Sequence, residues 1–244
     1  MGNKRKILGL ILLALIIVVC GVLAVQKLGV KDGATFTLSL LLTIAIIFIS
    51  LRDIKKAVYL FIISMPILVT ARKGFYSDFL IVKLNFESLI ILSLFIVNFR
   101  NIISNLKERI KSRESKKFVY LIILFVFTSL ISSIFSYNML ESLRLTITSV
   151  LIPVLVGVIL LANFETNDIK ALVYALAMAV NLSCFYGGVQ ILSIGLSISK
   201  IKSSRELLTF GYHNVNIFVN IALMIFPLIL NELLYKKNNI KEKI

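Results

Sequence analysis

Apolar residues run along this chain in unbroken blocks, without the two-residue alternation of a half-buried strand or the single stripe of a surface helix. Stretches such as "ILGLILLALIIVVCGVLAV" and "LIPVLVGVILLA" have no polar face at all. Spanning a bilayer takes about 20 helical residues, somewhat fewer when the flanks help. On that measure the blocks predict eight spans, at 7–25, 34–51, 57–71, 84–99, 118–137, 144–162, 170–195 and 213–235. Helices are the expected form, because hydrocarbon offers backbone groups no outside partner and the alternation of a barrel is absent. The third and fourth spans are the shortest. Pro66 lies within the third, and Lys83 and Glu87 bracket the start of the fourth. The expected fold is therefore all-α: one polytopic integral membrane helix bundle covering residues 1–244, with N- and C-termini cytoplasmic.

Charge sets that orientation. With Lys4, Arg5 and Lys6 in the cytoplasm, 18 of the 27 basic residues fall on cytoplasmic segments and 9 on outside ones. This two-to-one bias is the positive-inside pattern. Were 57–99 to cross only once, the connector "RNIISNLKERIKSRESKK" with its seven bases would lie outside, so eight crossings are retained. Within that connector Ile102, Ile103, Leu106 and Ile110 recur at helical spacing, which predicts a helix along the membrane surface. A solvated linker that only fixes topology is the alternative. The amino-terminal run of residues 7–25 is longer than a secretory h-region and no A-x-A site follows, so it is read as an uncleaved first span.

Composition agrees. Charged residues make up 16% of the 244 positions, against about 25% in soluble domains, and the mean hydropathy is +0.97. The net charge of +15 lies in short connectors, where it suits topology and anionic headgroups. No basic stretch with interleaved aromatics is present, so nucleic acid is not an expected partner; the lipid bilayer is. Cys20 and Cys184 sit in separate apolar runs and form no metal or disulfide pattern. No phosphate loop, dinucleotide fingerprint or zinc motif occurs, which argues against a nucleotide-driven pump or a metalloenzyme.

Polar groups at membrane depth are costly and mark candidate chemistry. On the outer face stand Arg72, Lys73, Arg144, Lys200, Lys202 and Arg205. An arginine fork suits phosphate oxygens, although Glu141, three residues before Arg144, offers it a local partner. The seventh span carries Asn181, Ser183 and Gln190 around the pair Gly187–Gly188. These either bond between helices or line a cavity with Gln190. At the mouth of the eighth span lie the single histidine, His213, and Asn214, with Asn216 and Asn220 deeper. Asn214 suits a helix cap. Asn216 and Asn220 share a face expected to point into the bundle, and the helix start with Arg205 before it suits an anionic head group.

Two of these stretches resemble one family. "FYGGVQIL" (185–192) resembles the Tyr-Gly-x-x-Gln element of the O-antigen ligase/polymerase superfamily. "RELLTFGYHNVNIFVNIALMIFPLIL" (205–230) resembles the next element, an arginine and Thr-Phe-Gly turn before an Asn-Pro-Asn-like helix start. Order and spacing fit over roughly residues 120–235; Val215 stands where the family often has proline. The resemblance implies a multi-pass glycosyltransferase at the outer face of a bacterial cytoplasmic membrane, acting on undecaprenyl-diphosphate-linked glycan as polymerase or ligase, without metal, nucleotide sugar or other cofactor. Arginines holding the diphosphate would stabilise charge on the leaving group.

Position by position, Tyr186, Gly187 and Gln190 match the first element, and Arg205, Gly211, Asn214 and Asn216 the second. Candidate diphosphate or glycan contacts are thus Arg205, Arg144, His213, Asn214, Asn216, Gln190 and Tyr186, with Gly187, Gly188 and Gly211 structural and no catalytic residue assigned. Family members continue into a large extracytoplasmic loop and further spans. The chain is accordingly expected to be the N-terminal part of such an enzyme, inactive alone and completed by a missing C-terminal half or another polysaccharide-assembly membrane protein. The competing readings are a lipid-linked glycan flippase or transporter, and a non-enzymatic membrane subunit. A single Gly-Gly interruption without repeat symmetry speaks against a transporter.

Overall fold

The computed structural model describes residues 26, 32–70, 85–111, 113–203, 208–212 and 215–241. The expected span 7–25 lies outside them. Among the described residues, every regular element is helical: α1 (Asp32–Ser50), α2 (Ile54–Thr70), α3 (Phe86–Val97), α4 (Phe99–Arg109), α5 (Arg113–Ile134), α6 (Met139–Asn163), α7 (Ile169–Ile194), α8 (Ile198–Ser203) and α9 (Val215–Lys241). Each of the other seven expected spans falls on one of these helices. Three helical stretches are long and apolar enough to cross a membrane: α1, α6, and α7 with the 3₁₀ turn before it, Thr166–Ile194. The pair α3–α4 makes a fourth only if its 75° bend is counted as one broken span, while Val119–Ile134 and Val215–Asn231 are shorter apolar helices.

Local chemistry sets the helix ends. Asn85 Oδ1 accepts from the Ser88 N–H at 2.8 Å and caps α3, and Glu87 in its first turn suits the positive end of the helix dipole. Glu165 and Asp168 form a reciprocal capping box before α7. Gly195, at φ 101°, ends α7 in a conformation that a side chain would resist.

The helices group into two compact units. The first comprises residues 1–55 and 71–163. Its core holds Ile46, Phe86, Ile90, Leu94 and Ile102, and the Phe36 and Phe86 rings meet edge to face at 5.4 Å. The buried side of α1 is partly hydroxylic, with Ser39, Thr43 and Ser50 enclosed. Thr43 and Ser50 donate to carbonyls of their own helix, at 2.7 Å each, so neither hydroxyl goes unsatisfied.

At Asn98 the chain turns. Its buried amide donates to the Leu94 carbonyl at 3.1 Å, closing α3 as α4 departs at 75°. Ile102 on α4 is fully buried whereas Lys107 and Arg109 are exposed, so residues 99–109 form the two-faced helix that the connector's periodicity predicts. Asn105 Nδ2 reaches Asn163 Oδ1 at 3.4 Å, tying α4 to the end of α6.

Helix α6 widens into π geometry at Ile147–Leu151. Before that segment it packs on α5, where the Thr146 and Ser133 hydroxyls meet; after it, on α3 and α4.

The second unit comprises residues 56–70 and 164–244. Here α9 packs against α7, the Tyr59 and Phe164 rings meet at 5.6 Å, and Val69, Tyr212 and Phe218 form a buried cluster.

Candidate functional site

The turn Thr209–Tyr212 before α9 is held by contacts from three helices. Phe210 adopts φ 51° and Gly211 φ 77°. The left-handed region costs a residue with a side chain about 1–2 kcal/mol, so Phe210 must be held there by its surroundings. Gln190 on α7 does so. Its Oε1 accepts from the backbone N–H of both Thr209 (3.1 Å) and Phe210 (3.0 Å). Its Nε2 donates to Thr209 Oγ1 at 3.1 Å. Both carbonyl lone pairs and one amide proton of Gln190 are thereby engaged.

Two glycines let the turn sit where it does. Gly187 lies one helical turn before Gln190, and a methyl group there would fall 2.1 Å from the Phe210 ring. In lipid, where helix association rests on close packing and hydrogen bonds, a small residue at such a contact is the usual solution. Gly211 needs its positive φ, and an added Cβ would also meet Pro66 of α2 at 2.7 Å, with the Pro66 Cα and O at 3.1 Å. Gly188 differs from both: a methyl group there would touch nothing within 4 Å.

Aromatic stacking completes the seat. The Phe210 ring stacks on Phe218 of α9 at 4.9 Å and 12°, with Tyr212 on the same ring at 6.4 Å. Tyr212 is buried and hydrogen-bonded to Ser183, whose own hydroxyl donates to the Ala179 carbonyl at 2.9 Å. Burial pushes the Tyr212 phenol above its ordinary value, and the Ser183 bond offsets part of that shift.

The structure thus brings Gly187, Gln190 and Gly211, drawn from two stretches about 20 residues apart, into one contact set. Tyr186 sits half-buried beside it on α7. Arg205, His213 and Asn214 lie outside the described residues. Arg144 belongs to the first unit, where its guanidinium meets Glu141 Oε2 at 3.3 Å, the local partner that the sequence offers.

Asn216 and Asn220 differ from expectation. Both are exposed, because α9 buries the stripe of Phe218, Ile221, Ala222 and Ile225. At 3.6 residues per turn, each asparagine lies about 200° from Phe218, on the opposite face. Asn181 is likewise exposed, while Ser183 is fully buried. Pro66, Thr209, Phe210 and Tyr212 complete the contact set without having stood out in the sequence as site residues. The sequence shows Thr-Phe-Gly only as a turn, and Pro66 only as an interruption in a short span.

Among the described residues, no group of His, Cys, Asp or Glu could hold a metal ion. No family model, curated protein or solved structure matches the chain.

Proposed function

We propose that the chain is the membrane-embedded part of a lipid-linked glycan glycosyltransferase of the O-antigen ligase/polymerase kind, resident in a bacterial cytoplasmic membrane. In this reading it crosses eight times, with both termini cytoplasmic and the 196–212 loop outside. The loop and the start of α9 receive the diphosphate of an undecaprenyl-diphosphate-linked glycan. Arg205, with Asn214 and His213, supplies donors for the anion, and the α9 N-terminus adds its backbone amides.

The observation that carries this reading is the Gln190 clamp on the Thr209–Phe210 backbone. The two sequence stretches bearing the family resemblance are in contact, and α7 fixes the turn that leads into the α9 N-terminus. A pre-set turn of this kind would aim its donors before substrate arrives, which is how charge on a leaving group is stabilised without reorganisation.

The test is genetic and chemical. In the source cell, Arg205→Ala is expected to shorten the surface glycan and leave lipid-linked repeat units accumulating at the outer face. Arg205→Lys should restore little, since a point charge replaces a fork. Unaltered glycan after deletion of the whole chain would overturn the proposal, and accumulation on the inner face would mark a flippase.

A further inference from the structure

We propose that the first unit holds a second, separate lipid site: an apolar slot for one acyl chain of an anionic glycerophospholipid, with the lipid's phosphate on the basic corner between α4 and α5. This goes beyond the glycan reading and does not depend on it.

The slot is a cavity of about 990 Å³ walled by α3, α4, α5 and α6, with Phe95, Ile103, Leu106, Phe127 and Val158 among its lining residues. Its wall on α5 runs from Val119 to Leu130. At 1.5 Å per residue that is about 16 Å, close to half of the roughly 30 Å hydrocarbon core. A slot one leaflet deep fits a single phospholipid chain.

Bases gather at one end. Ile103 and Leu106 of helix α4 line the slot, while Arg100, Lys107 and Arg109 of the same helix are exposed. Lys111, Lys116 and Lys117 follow, the last of them two residues before Val119. From 100 to 117 the described side chains include six bases and one acid, Glu108. The other end of the slot, at Leu130 and Leu151, is apolar on both walls. A molecule with a negative head and one leaflet's length of hydrocarbon complements both ends. A zwitterionic lipid fills the slot equally well but gains little from the bases.

The full chain, reconstituted in phosphatidylcholine vesicles, would be probed by electron spin resonance with chain-labelled phosphatidylglycerol or phosphatidylcholine. Phosphatidylglycerol is expected to be motionally restricted in several-fold excess, and the excess to collapse in 1 M salt. Lys107→Gln/Lys111→Gln/Lys116→Gln removes three bases, each of which attracts an anionic lipid at the membrane surface, and should bring the ratio near one. Gly157 lies on the α6 wall, where an added Cβ meets nothing within 4 Å. Gly157→Phe, or the smaller Gly157→Leu, checked for native helicity by circular dichroism, should therefore fill the slot and bring the ratio near one. Equal retention of the two lipids by the unmodified chain would overturn the site. An excess that survives either folded Gly157 variant would overturn the slot and leave only surface attraction. An excess that survives the triple variant would overturn the headgroup assignment.

Discussion

Gln190 holds Phe210 by its backbone: the Phe210 N–H points at Gln190 Oε1, 3.0 Å away, across a sequence gap of 20 residues. Because Thr209 N–H shares that acceptor, one side chain satisfies two donors of a turn enclosed by helices. Gln190→Leu leaves both donors unmet, at about 1–3 kcal/mol each. Gln190→Glu keeps the acceptor and loses the donor to Thr209. Thermal unfolding in detergent should therefore rank Gln190→Leu well below Gln190→Glu, with the native chain highest; equal midpoints for the two variants would contradict the clamp.

Gly187 and Phe210 form a testable couple. Gly187→Ala drives a methyl group into the ring and is expected to cost about 1–3 kcal/mol. Combining it with Phe210→Ala should recover much of that loss, giving a coupling energy that a double-mutant cycle measures. Gly188→Ala, in open space on the same helix, should be neutral or stabilising by up to about 1 kcal/mol. Equal damage at both glycines would mean that the ring contact does not decide the matter.

Gly211→Ala should resist such rescue. Its strain has two sources, the positive φ and the nearness of Pro66 backbone atoms. Pro66→Ala keeps the Cβ, Cα and carbonyl that stand in the way. The double variant should be no better folded than Gly211→Ala alone, as read by the fraction eluting as a monodisperse peak.

Tyr212, in the turn ahead of α9, makes stability depend on alkaline pH. Its folded value is raised, so the stabilisation it lends is fully present below the ordinary value of 10.0 and is lost as pH climbs through the folded one. Tyr212→Phe removes the titration along with the Ser183 bond. The variant should be less stable by about 1 kcal/mol at neutral pH and lose less helicity than the native chain as pH rises above 10.0, a comparison for circular dichroism.

Arg144 separates folding from function. Its contact with Glu141 is a single exposed i,i+3 pair at 3.3 Å, a kind worth at most about 0.5 kcal/mol. Arg144→Gln should leave the unfolding midpoint unchanged. If surface glycan nevertheless shortens, the guanidinium meets an anion in the proposed glycosyltransferase; if it does not, Arg144 only serves its helix.

Helix positions were legible because apolar blocks have a length: the block at 170–195 and the helix Ile169–Ile194 nearly coincide. The helix α4 was legible as one of two readings, from apolar residues at helical spacing in a basic connector, but its 75° departure from α3 at Asn98 was not. The orientation of α9 was not. Apolar residues surround it on all sides, so nothing local distinguishes the face of Phe218 from that of Asn216 and Asn220. Gly187 and Gly188 are equivalent as letters, and only a ring arriving from residue 210 separates them. The role of Gln190 was hidden for the same reason, since its partners are two backbone N–H groups and one hydroxyl brought near by the packing of α7 and α9.

The wide turn at Ile147–Leu151 has a last consequence. One surplus residue per π turn rotates everything after it by about 100° relative to an uninterrupted helix. The half of α6 carrying Thr146 and the half carrying Asn163 therefore answer to different neighbours, though they share one axis and one chain. Excising a single residue there would leave a regular helix that can seat either α5 or the α3–α4 elbow, and not both together.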